Sequence, residues 1–196
     1  MYEKSVRLFK NDFLERLTYV HPVVPLVFWS PVIAFLLWRS ASVDGFSVPQ
    51  IASMAVPGVL VWTLTEYWVH RILFHYPATS AFGQRIVYLY HGVHHEVPND
   101  KRRLVMPPAG GVIVMAILWL LFSLVIPWPW EDPFFAFFIL GYLIYDYLHY
   151  ATHHFRMKGA LLGALTRHHL KHHFTSEESR FGVSSPLWDW VFGTMR

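Results

Sequence analysis

Residues 134–154 read FFAFFILGYLIYDYLHYATHH. The stretch begins as an aromatic and aliphatic run, Phe134–Leu148, interrupted by one carboxylate at Asp146, and ends in His149, His153 and His154. At about 100° per residue, an i, i+4 pair such as His149 and His153 shares one face of a helix, as a helix-borne pair of metal ligands must. An apolar helix that ends in imidazoles puts its chemistry at one face of a bilayer. Three more apolar segments lie upstream, at 22–38, 51–69 and 105–128. A span needs about 20 residues, so 51–69 and 105–128 are comfortable, whereas 22–38 and 134–148 are short. Trp29, Trp38, Trp128 and Trp130 sit where interfacial aromatic belts are expected. The fold class these runs predict is all-α: an integral membrane protein with about four transmembrane helices. Residues 1–196 are expected to form one domain, with 70–104 and 149–196 making a His-rich cap.

The composition agrees. The 196 residues are 54% hydrophobic, 18% aromatic and 15% charged, where a soluble domain carries roughly a quarter charged residues. The 16 Lys and Arg against 13 Asp and Glu therefore mark a membrane side and not a nucleic-acid surface. Four basic residues fall in 1–21, five in 70–104 and six in 150–196, leaving Arg39 as the exception at a helix edge. The connections 40–50 and 129–133 carry Asp44, Glu131 and Asp132 instead. By the positive-inside rule the basic side is cytoplasmic, in a bacterial inner membrane or the endoplasmic reticulum. The N-terminal stretch is amphipathic and has no small-residue cleavage site after its first apolar run, so a cleaved signal peptide is not expected. The tail Phe181–Met195, with Trp188, Trp190 and Phe192, reads as interfacial. With no cysteine in the chain, disulfides, iron–sulfur clusters, thiolate zinc sites and a cysteine nucleophile are excluded. Any metal is held by nitrogen or oxygen.

Twelve of the 13 histidines fall in 70–95 and 149–173. Two predicted spans separate these stretches, an even number of crossings, so both emerge on one face. His91-Gly-Val-His94-His95 and His169-Leu-Lys-His172-His173 repeat one spacing, in which the adjacent pair points about 100° apart and can address two metals. His70 and His75 stand about 140° apart on an ideal helix, so they either flank the site or the helix ends between them, as Pro77 favours. The number of grouped imidazoles exceeds the roughly six positions of one first-row ion, which favours two metals over a crowd of bystanders. Imidazole-only ligation suits iron, zinc, copper or nickel. Glu66 and Asp146 are expected to accept from ligand histidines and fix their tautomers; the alternative is that they satisfy helix ends. His21 is isolated. His154 and His168 read equally as metal ligands or as bystanders and substrate contacts, and Tyr147 and Tyr150 read most simply as packing and interface anchors, with the lining of a substrate entrance as the alternative. Lys101, Arg102, Arg103, Arg167 and Lys171 form a basic surface suited to an acidic electron donor or to anionic headgroups. Transport of metal across the membrane would place ligands at mid-span, and here they lie at or beyond the span ends.

At these residues the chain resembles the fatty acid hydroxylase/sterol desaturase superfamily and, within it, the fatty acid 2-hydroxylases. The likeness rests on Glu66-Tyr-Trp-Val-His-Arg-Ile-Leu-Phe-His75, His91-Gly-Val-His-His-Glu-Val-Pro-Asn-Asp100 with Arg103-Leu-Val-Met-Pro-Pro108, and Tyr145-Asp-Tyr-Leu-His149. His168-His-Leu-Lys-His-His-Phe174, Phe181-Gly-Val and Leu187-Trp-Asp189 complete it, so that it covers about residues 60–192. The resemblance implies a dinuclear centre ligated by His70, His75, His91, His94, His95, His149, His153, His169, His172 and His173. It implies two iron ions, dioxygen as cosubstrate and hydroxylation at carbon 2 of a long acyl chain, free or within a sphingolipid. Sterols, carotenoids and alkanes are the alternative substrates of such machinery. Redox-inert zinc cannot reduce dioxygen, although its higher affinity for nitrogen ligands makes it a common occupant of purified protein. Fungal and animal members carry a fused cytochrome b5 domain, whereas about 20 mostly polar residues precede the first predicted span here. No flavin or nicotinamide fingerprint occurs either. A separate cytochrome b5-like or ferredoxin-type donor is the expectation.

Overall fold

The fold is organised around one long helix that begins at a buried ion pair and ends in the histidines. In the computed structural model, which describes residues 5–196, every regular element among the described residues is helical. In chain order these are α1 (Asp12–Thr18), α2 (Val23–Ser42), α3 (Val48–Ser53), α4 (Ala55–Trp68), α5 (Ala81–Val87), α6 (Val93–Glu96), α7 (Pro108–Ser123), α8 (Glu131–His154), α9 (Ala160–Phe174) and α10 (Leu187–Val191). Two π-helical turns, Val69–Phe74 and Tyr88–Gly92, follow α4 and α5.

Three of the described stretches are long and apolar enough to cross a membrane: Val23–Ser42, the continuous run Val48–Phe74, and Glu131–His154; Pro108–Ser123 is apolar but shorter. This reverses part of the expectation from sequence. The segments drawn at 22–38 and 134–148 are longer than predicted, and that drawn at 105–128 is shorter. The cause at one end is electrostatic. Arg39 Nε lies 2.8 Å from Asp132 Oδ2, so a charge that looked like a helix edge is carried inside α2, against a fully buried carboxylate in the first turn of α8. Pairing and proximity to a helix N-terminus offset the desolvation of that carboxylate. For α7, Pro107 and Pro108 set the start, since proline is suited to the first helical position, and the helix stops at Ser123 ahead of Pro127.

Helix α8 is the centre of the core. Phe134, Phe138, Ile139 and Tyr142 are buried against Trp29 and Leu36 of α2, Trp62 of α4 and Met115 of α7. Contact with α4 is close because Gly58 has no side chain: a Cβ there would stand 2.8 Å from the Phe134 carbonyl and 2.7 Å from the Phe137 Cβ. The opposite faces stay apolar and bare. Val56, Leu120, Leu124 and Val125 are 67–82% exposed, the lipid-facing surface that helices of this length require. Close α4–α8 packing has a consequence for chemistry, since His70 and His75 end one helix and His149 and His153 end the other.

Candidate metal centre

Ten histidines gather at this end of the bundle in two groups. The first is His70, His75, His91, His95 and His172; the second is His94, His149, His153, His169 and His173. Within each group the candidate ligand atoms lie within 4.8 Å of one another. Adjacent residues part company, His94 from His95 and His172 from His173, because neighbours on a helix point about 100° apart. His91 shares its group with His95, and His169 with His173, the i+4 partner in each case. The groups abut, with the His95 and His173 rings stacked at 4.1 Å.

His70 and His75 reach one group by a device that an ideal α-helix hides. The turn Val69–Phe74 is π-helical, closed by the His75 amide donating to the His70 carbonyl at 3.2 Å. Widening the turn stacks residues five apart, a distortion frequent at functional sites. The second π turn, Tyr88–Gly92, leads His91 into the same group.

Facing nitrogens fit a metal. Nε2–Nε2 distances are 2.9 Å for His70–His91 and His91–His95, and 3.1 Å for His75–His172. In the second group they are 2.9 Å for His94–His149 and His94–His173, and 2.8 Å for His153–His169. Two imidazole nitrogens bound at about 2.1 Å, at a right angle on one ion, stand about 3 Å apart. The tautomers agree. His70 Nδ1 is 2.5 Å from the Phe181 carbonyl and His172 Nδ1 is 2.7 Å from the Ser179 carbonyl; a carbonyl only accepts, so each Nδ1 donates and each Nε2 presents a lone pair inward.

Electrostatics keep the rings neutral. Burial, followed by repulsion among imidazoles, lowers His75 to about 4 and His95 to about 3. Burial brings His172 to about 4 despite the bond to Ser179. His91, His94, His169 and His173 are all driven down by burial first and neighbouring histidines second. At neutral pH these rings are neutral imidazoles, the form that metal binding requires.

Several expected roles change. Neither Glu66 nor Asp146 bonds a histidine. Glu66 Oε1 accepts from the amides of Val183 and Ser184, at 2.5 and 2.9 Å, while Asp146 Oδ1 accepts from the Met106 amide at 3.1 Å. Both carboxylates hold chain segments in place. His168 donates from Nε2 to Asp189 Oδ2 at 3.0 Å and belongs to neither group. Tyr147 donates to the Pro22 carbonyl at 2.6 Å and so ties α8 to the start of α2 instead of facing either group. The Tyr150 and His154 rings pack against each other at the end of α8, tilted by 47° with centroids 4.4 Å apart. Lys101, Arg102, Arg167 and Lys171 are exposed. Arg103 is not: it is buried between the Glu15 carboxylate and the Thr18 carbonyl, fastening α1 to the cap.

Sequence reasoning missed the residues that hold the first group. Besides the carbonyls of Ser179 and Phe181 there is Glu177, whose Oε1 lies 3.3 Å from His95 Nδ1. Asp189 is buried and held below the usual carboxylate range: burial raises it, but hydrogen bonds from His168, Thr194 and the amides of Gly182 and Phe181 outweigh that.

Comparison with known proteins follows this geometry. The family model for fatty acid hydroxylase matches residues 55–194. The chain belongs to the fatty acid hydroxylase family. Membership makes it a membrane oxidoreductase, and the matched segment contains all ten clustered histidines. It is 40% identical to a dihydroceramide fatty acyl 2-hydroxylase of Arabidopsis thaliana, over 96% of this chain and 79% of that one. With the fatty acid 2-hydroxylase of Homo sapiens it shares 35% identity, over 98% of this chain and 57% of the relative. A solved structure of full-length scs7p, in which only the hydroxylase domain is visible, superposes with a TM-score of 0.87 at 37% identity, covering 95% of this chain and 70% of that one.

Proposed function

We propose that this hydroxylase adds a hydroxyl group at carbon 2 of a long acyl chain, as a free fatty acid or within a sphingolipid. The observation that carries the reading is the meeting of two five-imidazole groups above a narrow apolar cavity. Trp62, Val69, Phe74, Met115, Leu118 and Tyr145 line that cavity between α4, α7 and α8. Two of its lining residues border the groups: Phe74 stacks on His91 at 5.0 Å, and the Tyr145 ring is 5.7 Å from His149.

The ten histidines would hold two iron ions, one in each group, and zinc would fit the same nitrogens in purified protein. Bound iron would supply the activation of dioxygen with two electrons and two protons, so that one oxygen atom enters a C–H bond and the other leaves as water. The chain does the rest. Apolar walls take the acyl chain from the bilayer and exclude water, and the cap receives its carboxyl or amide end, with Tyr150 and His154 beside it. Neutral rings keep the ligand atoms available. Electrons arrive from a separate donor of cytochrome b5 or ferredoxin type, drawn to Lys101, Arg102, Arg167 and Lys171 on the cytoplasmic side of the membrane.

Mass spectrometry of hydrolysed fatty acids from cells expressing the protein under labelled dioxygen tests the assignment, with a donor system co-expressed and His169→Ala as control. Labelled 2-hydroxy acids in the wild type alone are expected. Their absence, or label in sterols or carotenoids instead, overturns the acyl-chain reading.

A further inference from the structure

The two histidine groups are supported unequally, and the difference traces to residues 179–184. Four consecutive amides there are taken by two buried carboxylates. Asp189 Oδ1 accepts from Phe181 N and Oδ2 from Gly182 N, both at 2.8 Å, while Glu66 Oε1 accepts from Val183 N and Ser184 N. The Arg180 amide donates to the Thr194 carbonyl at 2.9 Å, and the Thr194 hydroxyl donates to Asp189 Oδ1 at 2.7 Å. Between the two carbonyls that meet His70 and His172 lies Arg180, a non-glycine residue at φ 60°. A left-handed residue of this kind is strained and persists where its surroundings over-determine it. Gly182 is equally constrained, since a Cβ there would fall 2.1 Å from the Ser185 carbonyl oxygen and 2.9 Å from Asp189 Oδ2. The segment is a strap: its carbonyls meet His70 and His172, and the Phe181 ring packs on His70, His75 and His172 at 5.7–5.8 Å.

Nothing comparable serves the second group. His94 Nδ1 and His169 Nδ1 are buried without a hydrogen-bond partner among the described residues. Groups behind a ligating histidine fix ring orientation and raise basicity, and removing them typically costs about 10–100-fold in metal affinity.

We propose that Asp189, with Glu66, is a positioning residue for the first metal site: through the strap it pre-orients His70 and His172, so that this site binds its ion first and more tightly than the second. The inference rests on the metal-site reading above. Its test uses the full chain in detergent, stripped of metal and titrated with zinc against a chromophoric chelator. His169→Ala isolates the first site and His172→Ala isolates the second. Two ions per wild-type chain, taken up in two separable steps, are expected. Asp189→Asn keeps one acceptor oxygen and loses the other, and in the His169→Ala background it should weaken binding about 10–100-fold while leaving the second site unchanged. Glu66→Ala should act in the same direction, and Glu66→Gln, which keeps the oxygen that accepts both amides, should restore most of the affinity. If Asp189→Asn does not fold, the Glu66 pair carries the comparison alone. Two ions bound with equal affinity, or both sites weakened alike, would overturn the ordering and leave the metal centre standing. No zinc retained by the wild type would overturn the centre itself.

Discussion

The two histidine groups are built from the same residue type in equal number, five imidazoles each, yet they stand in different surroundings. The first draws on two π turns, on α6 through His95 and on α9 through His172, and carbonyls of Ser179 and Phe181 back two of its rings. The second is built on α6, α8 and α9, regular helices, with buried Nδ1 atoms on His94 and His169 that lack a protein partner. One group is held from behind and the other by helix geometry alone. On the proposed dinuclear reading, ligand identity settles where two ions would go, and the surrounding backbone settles how firmly each would be held.

The largest effect should come from removing a ligand. His91→Ala or His149→Ala is expected to abolish 2-hydroxy product and reduce metal from two ions per chain to one, measured by elemental analysis of the purified protein. Retention of two ions by both variants would break the division into groups. Next comes the strap. Gly182→Ala forces a methyl group against the Ser185 carbonyl and the Asp189 carboxylate and should destabilise the protein by about 1–3 kcal/mol. In thermal unfolding, added zinc should raise the unfolding temperature of this variant less than that of a Gly58→Ala variant, whose clash lies far from the first group.

Acidification gives a smaller, graded effect. The folded clusters refuse protons that the unfolded chain accepts, with His75 and His172 lowered to about 4 from an ordinary value near 6.5. Stability of the metal-free chain is thus fully present above about pH 6.5 and is lost as pH falls from there toward 4. Metal-loaded protein should hold its unfolding temperature to lower pH, because protons must then displace the ions. The smallest effect belongs to the surface. Arg167→Glu and Lys171→Glu should slow turnover with a protein donor several-fold at low salt and little at high salt. Arg103→Gln should lower thermal stability through the lost Glu15 contact and leave that salt dependence intact.

Much of this was legible in the residues. Apolar runs mark the long helices, and the two His-x-x-His-His groups mark six of the ten clustered histidines, with His70, His75, His149 and His153 marked by spacings of their own, because period and side-chain chemistry are properties of sequence. Helix ends were less legible, since Arg39 reads as a boundary until Asp132 is seen beside it. The π turn joining His70 to His75 was hidden because spacing was converted to angle on an ideal helix. Carbonyls of Ser179 and Phe181 have no side-chain signature at all. The strings Phe181-Gly-Val and Leu187-Trp-Asp189 were the one available signal, a glycine and a carboxylate that fit each other. Glu66 and Asp146 were rightly singled out and given the wrong partner, since proximity in sequence to a histidine does not aim a carboxylate at it.

The most direct test of the dinuclear centre is a crystal structure of the full chain with data collected across the zinc and iron absorption edges. Two anomalous peaks are expected, one among the Nε2 atoms of His70, His75, His91, His95 and His172 and the other among those of His94, His149, His153, His169 and His173. A single peak lying between the groups, or none within bonding distance of either, would contradict it.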